Sequence, residues 1–234
     1  MGLDLPFFHS DSAVVNRAAR IAIGDIAGNC LSFRSGLLDS EKLCIMAGLD
    51  YDTPWTRDAA INVMNAMCIF DRDISKNTLL AVCDKSDGKP YIAGQYWDAI
   101  IWAIGAWQYL SVNNDPEFGK FAFEAVKNTL AKMEADEFDP QICLFRGGAV
   151  YGDGIAAYPD KYTKTYENQT GILDWPAANP DIRAKKGFGV PLFALSTNCV
   201  YYAAYRIAAA LAIQYNADPM PYVGKAESLR MMPR

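Results

Sequence analysis

The chain has 234 residues, of which 51% are hydrophobic and 21% are charged, and its net charge is −5. This composition is typical of a globular protein, so we assign residues 1–234 to a single domain. The negative charge argues against nucleic acids and anionic membranes as partners, because both bind basic surfaces. No apolar run approaches the roughly 18 residues that a membrane span needs, so no membrane partner is predicted.

The six cysteines show no CxxC spacing, and most of them lie in apolar helical contexts such as residues 66–69. Free thiols are therefore favoured over disulfides, and with them a cytoplasmic location. No basic segment followed by an apolar core is visible at the N-terminus, so no signal peptide is predicted. His9 is the only histidine, which excludes His-rich metal sites. We predict no metal and no cofactor, so acid–base chemistry has to come from carboxylates.

Apolar residues at helical spacing predict six helices, at residues 12–27, 55–70, 75–84, 96–110, 116–135 and 196–214. The fourth and sixth are apolar on nearly all sides, which predicts that both are buried, with Trp107 included in the fourth. A further helix is predicted to begin near residue 222. No segment alternates between apolar and polar residues over enough positions to predict a β-strand. Fully apolar helices among amphipathic ones favour a concentric α/α toroid over a simple bundle, in which every helix has one apolar stripe.

The turn that leads into the second helix carries an aromatic ring, an arginine and an acid, in Trp55, Arg57 and Asp58. Thr53 is predicted to cap this helix and Pro54 to occupy its first turn, where a missing N–H costs nothing. An aromatic face covers the C–H side of a sugar ring, while a charged pair binds neighbouring hydroxyls by charge-assisted hydrogen bonds. The alternative is that Asp58 is a first-turn acid favoured by the helix dipole, paired with an exposed Arg57.

Three further segments carry candidate side chains. Trp97 and Asp98 open the fourth helix, where the alternative for the acid is again stabilisation by the helix dipole. Residues 144–159 carry Tyr151 and place Asp153 between two glycines, which allow unusual backbone angles and close approach of a ligand. The alternative for Asp153 is an ordinary turn aspartate. Residues 195–198, Leu-Ser-Thr-Asn, are predicted to cap the sixth helix.

The remaining acids are weaker candidates. An acidic run at the end of the fifth helix is interpreted as solvated: Glu134, Asp136, Glu137 and Asp139. The loop of about 60 residues between the fifth and sixth helices is long enough to be functional, and Glu167 and Asp174 in it could line the rim of a pocket.

In order and spacing, these segments resemble the six-hairpin glycosidases, a group that includes the glucoamylases and related bacterial toroid enzymes. Residues 55–58 resemble the aromatic-x-Arg-Asp segment of such chains, and residues 98–110 resemble their buried helix that opens with an acid. Residues 144–153 resemble the loop with their general acid, and residues 195–211 resemble the buried helix that follows. The loop acid is Glu in glucoamylases and Asp in other branches. The likeness spans residues 49–215.

The resemblance implies an all-α fold, the α/α toroid, and an inverting hydrolase that removes terminal sugars with two carboxylates. It implies Asp153 as the general acid, and it implies these residues as contacts of the carbohydrate substrate: Trp55, Arg57, Asp58, Trp97, Asp98 and Tyr151. Six hairpins comprise twelve helices, so the helices found here correspond to the N-terminal half of a barrel, with the catalytic base beyond residue 234. The chain alone is then expected to be inactive and to self-associate through unpaired helix faces.

Two other functions stay open at this point. A non-catalytic carbohydrate-binding or scaffold toroid would use the same aromatic residues without an acid–base pair. A helical polysaccharide lyase would use a tyrosine as its base. Such lyases usually rely on histidine or on extra Arg and Lys around a uronate, and a single histidine at position 9 disfavours them.

Overall fold

Helices dominate the described structure. The computed structural model describes residues 6–94, 96–149, 158, 179, 181 and 192–231. Its helices are α1 (Ala13–Gly28), α2 (Thr56–Asn62), α3 (Cys68–Phe70), α4 (Arg72–Ala81), α5 (Tyr96–Val112), α6 (Pro116–Glu137), α7 (Leu195–Gln214) and α8 (Met220–Arg230). A π-helical turn, Val63–Met67, joins α2 to α3. The prediction of a mainly helical fold is confirmed.

Short antiparallel hairpins interrupt the helices, and the sequence analysis did not predict them. In the described ranges, they pair β1 (Cys30–Phe33) with β2 (Lys42–Ile45), β3 (Cys83–Ser86) with β4 (Lys89–Ile92), and β5 (Phe138–Asp139) with β6 (Leu144–Phe145). Such short strands give too few residues for an alternation of apolar and polar positions. One signal was present in the sequence: Asp87 and Gly88, with φ values of 51° and 75°, form the tight turn that this dipeptide favours.

α2 and α5 lie side by side and run in the same direction. At their starts, Nη1 of Arg57 lies 3.3 Å from Oδ1 of Asp98. Just past the end of α5, Nδ2 of Asn113 donates to the carbonyl of Cys68 at 2.9 Å. Between these points, a Cβ on Gly105 would lie 2.8 Å from the backbone of α2. Only glycine at position 105 allows the two helices to pack this closely.

α4 runs antiparallel to α5. Near the start of α4, Nε of Arg72 donates to the hydroxyl of Tyr109 at 3.3 Å, close to the end of α5. Near the end of α4, the carbonyl of Leu79 accepts from the indole N–H of Trp102 at 3.0 Å. The two contacts fix the relative direction of the helices, and the second also satisfies the polar atom of a fully buried tryptophan.

α6 is antiparallel to α5 as well. The ring of Phe118, in the first turn of α6, packs edge-on against Tyr109 with centroids 4.9 Å apart. One turn further on, Phe121 contacts the ring of Trp102, which lies earlier in α5, at 6.4 Å. The aromatic rings of the two helices therefore meet in reverse order along the chain and fill the space between them.

α7 is antiparallel to α6, and α8 runs in the same direction as α6. Beyond the end of α7, the hydroxyl of Tyr215 donates to the carbonyl of Pro116 at 3.1 Å, and earlier in α7 the hydroxyl of Tyr205 donates to Glu134 at 3.0 Å. Lys225 of α8 forms an ion pair with the same Glu134 at 2.6 Å. As a result α2, α5 and α7 begin at one end of the structure, while α4, α6 and α8 run the opposite way.

The core lies around α5 and α7, as the sequence predicted from their apolar composition. In α5 and α7, most of the residues that contact α4 or α6 are buried. The largest fully buried side chains include Trp102, Tyr109, Phe118, Phe145 and Tyr201. Four large apolar side chains of these helices are exposed: Trp107 (36%), Val112 (47%), Leu195 (70%) and Ile213 (66%). The prediction that Trp107 is buried was therefore wrong.

Most helix bounds match the prediction within two residues, and the exceptions have local causes. The third predicted helix begins three residues early, because the side chain of Asp71 caps α4 by accepting from the N–H of Ile74 at 2.8 Å. It ends at Ala81, because the chain continues into strand β3. The first helix forms as predicted but has no buried residue, so its apolar stripe contributes little to the core.

Candidate functional site

The candidate site is the end of the structure where α2 and α5 begin. Here Arg57 and Asp98 form an ion pair with 3.3 Å between Nη1 and Oδ1. The side chain of Asp98 is 10% exposed and that of Arg57 is 23% exposed, so solvent screens the pair only partly. Asp98 also lies in the first turn of α5, where the helix dipole favours a negative charge. The sequence prediction named both residues, but only the packing of α2 on α5 brings them together.

Trp55 precedes α2 in a strained backbone conformation. Its φ is 45° with ψ at 142°, a region that non-glycine residues rarely occupy. Its side chain is 53% exposed, although tryptophan is usually largely buried. Strain of this kind costs about 1–3 kcal/mol and is found most often at functional sites. Trp55 therefore carries an exposed ring two residues before Arg57 in the chain, at an energetic cost to the fold.

The predicted capping of this helix was wrong. α2 begins at Thr56, with Trp55 in the capping position and no side chain accepting a hydrogen bond from the first turn. The hydroxyl of Thr56 instead donates to the carbonyl of Ala93 at 2.9 Å, which ties the start of α2 to the segment before α5. Gly94 follows with a φ of 106°, and a Cβ there would lie 2.4 Å from the Thr56 hydroxyl. This close contact fixes the starts of α2 and α5 relative to each other.

The predicted capping role of residues 195–198 was also wrong. α7 has Ala194 in the capping position without a side-chain cap. Asn198 binds the backbone of Phe145 twice: it accepts from the N–H at 2.9 Å and donates to the carbonyl at 3.0 Å. Thr197 donates a short hydrogen bond to the carbonyl of Gly148. The polar side chains at the start of α7 therefore hold residues 145–148, the beginning of the segment that leads to Asp153.

The other predicted site residues differ in how far the structure describes them. Asp58 is half-buried in the first turn of α2, one residue after Arg57. Trp97 lies in the first turn of α5, and its side chain is outside the described part of the structure. Asp153 and Tyr151 lie outside the described residues, as do the weaker candidates Glu167 and Asp174. The assignment of Asp153 as the general acid stays a prediction.

Sequence reasoning missed a buried polar group beside the site. Glu137 was interpreted as solvated, but it is fully buried at the last position of α6. Burial first, and then the negative charges of Glu137 and Asp136, raise the pKa of the fully buried Tyr201 hydroxyl well above its usual value. A sequence signal existed, because Glu137 continues the inward-facing series of α6 at helical spacing: Ala122, Val126, Leu130 and Met133.

The acidic side chains at the end of α6 differ in their exposure to solvent. Some are less exposed than predicted, and others form ion pairs on the surface. Glu134 joins α7 and α8 by binding Tyr205 and Lys225. Asp136 pairs with Lys132 one turn earlier on the surface of α6. The acidic run therefore contains one surface pair, one bridge between helices and one buried carboxylate, rather than a uniformly solvated face.

Comparison with protein-family models, with curated proteins and with solved structures gave no match. Among the described residues, no group of three or more His, Cys, Asp or Glu side chains is placed to hold a metal ion. None of the helices in the described ranges is long and apolar enough to cross a membrane. All six cysteines are free thiols.

Proposed function

We propose that the helices described here form an arc of an α/α toroid. In such a fold, inner helices run parallel to one another and alternate along the chain with outer helices of opposite direction. The alternation of α2, α5 and α7 with α4, α6 and α8 supports this architecture. The small residues at the contact of α2 with α5 and the apolar character of α5 and α7 support an inner position for these helices.

We further propose that the protein hydrolyses glycosidic bonds and binds a terminal sugar at the start of α2 and α5. The observation that carries this proposal is the partly buried Arg57–Asp98 ion pair at the start of the two helices, with the strained, exposed Trp55 two residues before Arg57. Asp98 orients the guanidinium, whose N–H groups suit neighbouring hydroxyls. The tryptophan ring suits the apolar face of the same sugar. Asp58 follows on the same helix turn as a second hydroxyl acceptor.

The proposed chemistry requires two carboxyl groups. A general acid protonates the leaving oxygen, and a second carboxylate removes a proton from the attacking water. In inverting enzymes the two groups lie about 6.5–9.5 Å apart, which leaves space for that water. We assign the acid to Asp153 from the resemblance described above, and the base to a later segment of the toroid. Arg57, Asp58 and Asp98 bind and orient the substrate in this scheme.

Sugar binding tests the proposed site directly. We expect neutral monosaccharides to raise the melting temperature of the parent chain, and we expect Asp58→Ala to reduce this effect without unfolding the protein. Arg57→Lys should weaken binding by about tenfold or more, because an ammonium cannot reproduce the geometry of a guanidinium. Asp73→Asn is the matched control, since it removes an exposed carboxylate in the first turn of α4, at the opposite end of the structure, and should leave the shift unchanged. Unaltered binding by Asp58→Ala would make these residues purely structural.

Turnover separates the proposed hydrolase from the two alternatives. Hydrolysis of a glycoside panel is to be measured on this chain and on any longer gene product that contains it, each with an Asp153→Asn variant. We expect the activity to be lost in that variant, because an amide cannot protonate the leaving oxygen. Sugar binding with no turnover in any form supports a binding or scaffold protein instead. Preferential binding of a uronate with release of an unsaturated product supports a lyase.

A further inference from the structure

A cavity lies at the opposite end of α5 from the candidate site. It has a volume of about 260 Å³ and is lined by the last turns of α5, the connection to α6, and the end of α7, with Trp107, Ser111, Asn113, Asn114, Asp115 and Gln214 among its lining residues. The distance from Asp98 to Asn113 along α5 is about 20 Å, at 1.5 Å per residue. The cavity is thus separate from the Arg57–Asp98 site.

The walls of this cavity are held rigidly. The side chain of Asn113 donates to the carbonyls of Cys68 and Tyr109, at 2.9 and 3.2 Å, which fixes the end of α5. On the other side, the hydroxyl of Tyr215 donates to the carbonyl of Pro116 at 3.1 Å and fixes the end of α7 to the start of α6. A site whose walls are already fixed loses little entropy when a ligand binds.

The lining combines one aromatic ring with several amides. Trp107 is 36% exposed, and its indole N–H makes no hydrogen bond within the described part of the chain. The side-chain amide of Asn114 has no partner among the described residues either, and the same holds for the amide oxygen of Asn113. These groups can donate and accept hydrogen bonds next to a flat apolar surface. That combination suits a polyol with one apolar face, as in a sugar ring.

The ionisable groups around the cavity are paired with one another, which favours a neutral ligand. Asp115 is the only ionisable side chain among the lining residues, and it is 5% exposed. Its carboxylate accepts from Lys76 at 2.9 Å, from Tyr109 at 3.0 Å and from the N–H of Phe118 at 3.0 Å. Nη2 of Arg72 lies 3.3 Å from the same carboxylate and 3.5 Å from the carbonyl of Asn114. The carboxylate and its cations therefore compensate one another, and neither presents an unpaired charge to the cavity.

We propose that this cavity binds a single ring of a neutral sugar, with the ring stacked on Trp107 and its hydroxyls bound by the amides of Asn113, Asn114 and Gln214. The volume lies just below the range of about 300–1,000 Å³ typical of drug-sized ligands, which suits one ring rather than an oligosaccharide. The site would anchor a carbohydrate away from the proposed catalytic end. It does not depend on the hydrolase activity proposed above.

The test uses the indole N–H signals of the ¹⁵N-labelled chain in NMR spectra, with the Trp107 signal assigned by Trp107→Phe. The probes are the methyl glycosides of D-glucose, D-galactose and D-mannose, at concentrations up to about 50 mM. A single ring with few hydrogen bonds supports a Kd of about 1–10 mM. We expect at least one probe to shift the Trp107 signal in a saturable way. Methyl glucuronoside, which is anionic, should shift it less.

Four variants make the outcome specific. Asn114→Ala and Gln214→Ala should each weaken binding at the Trp107 signal by about threefold or more, since each removes one hydrogen-bonding amide. Ile213→Ala is the matched control, because it changes an exposed apolar residue at the same end that does not line the cavity, and it should leave the affinity unchanged. Asp58→Ala disables the other proposed site and should also leave the Trp107 response intact.

The possible results are distinguishable. If no probe shifts the Trp107 signal, or if both amide variants bind as well as the parent, the proposal is wrong whatever happens at Asp58. If the Trp107 response disappears in Asp58→Ala, the shift is transmitted from the other end and the cavity is not a separate sugar site. A saturable Trp107 response that survives Asp58→Ala supports the proposal, even if the protein hydrolyses no glycoside.

Discussion

The ion-pair cluster at Asp115 predicts a measurable dependence of stability on pH. Burial of Asp115 would by itself raise the pKa of its carboxyl, but hydrogen bonds from Lys76, the N–H of Phe118 and Tyr109 outweigh burial and lower the pKa from 3.8 to about 2. The cluster joins α4, α5 and α6 at one point, because Lys76 lies in α4, Tyr109 in α5 and Phe118 in α6. Replacement of the carboxylate should therefore weaken the packing of all three helices.

The expected size of the effect follows from this pKa. Each tenfold change in the proton affinity of a group corresponds to about 1.4 kcal/mol, so a carboxyl whose pKa falls to about 2 stabilises the folded state by about 2 kcal/mol at neutral pH. Because the folded-state pKa of Asp115 is lowered, this stabilisation is fully present above the unfolded pKa of 3.8. It is lost as the pH falls from about 4 through about 2.

Urea unfolding of the parent chain and of Asp115→Asn measures this difference. The asparagine can still accept from the N–H of Phe118, so the variant removes the charge while it keeps the helix cap. We expect Asp115→Asn to lower the free energy of unfolding by about 2 kcal/mol at pH 7 and at pH 5, and by progressively less below pH 4. Asp136→Asn, which breaks only the exposed pair with Lys132, should change it by less than about 0.5 kcal/mol.

Two results would refute this reasoning. If Asp115→Asn is as stable as the parent chain at pH 7, the partners of the carboxylate do not compensate its burial. If the difference between the two proteins is the same at pH 5 and near pH 2, folding does not lower the pKa of this carboxyl. In that case the hydrogen bonds from Lys76 and Tyr109 do not dominate its environment.

Two further predictions follow from packing. Gly105→Ala places a Cβ 2.8 Å from the backbone Cα of Ala60 and should lower the free energy of unfolding by about 2 kcal/mol or more. Gly24→Ala, in open space on α1, should raise it by up to about 1 kcal/mol. Equal melting temperatures of the two variants would contradict the close packing of α2 and α5. Ile69 in α3 and Ile213 near the end of α7 are 68% and 66% exposed, so the chain should self-associate or bind ANS. The double variant Ile69→Ser/Ile213→Ser should reduce both effects. A monomeric parent chain that does not bind ANS would show that these apolar faces need no partner.

The sequence by itself determined the helical class, most helix bounds and the burial of α5 and α7. These properties depend on local spacing of apolar residues, which survives in any helical packing. The cap of α4 was also readable, because Asp71 needs only the N–H of Ile74 three residues later. The short hairpins were not readable, since their strands contain too few residues for a periodic pattern, and only Asp87–Gly88 marked one turn.

The tertiary structure decided which side chains act together. Arg57 and Asp98 were each named from local motifs, but their ion pair exists because Gly105 lets α5 pack directly on α2. The burial of Glu137 and the exposure of Trp107 likewise depend on which helix faces have a neighbour. Local sequence fixes the face on which a residue lies, whereas only the arrangement of the helices determines what covers that face. For this reason the residues of the proposed carbohydrate site could be named one by one from the sequence, whereas the cavity at the end of α5 could not be foreseen.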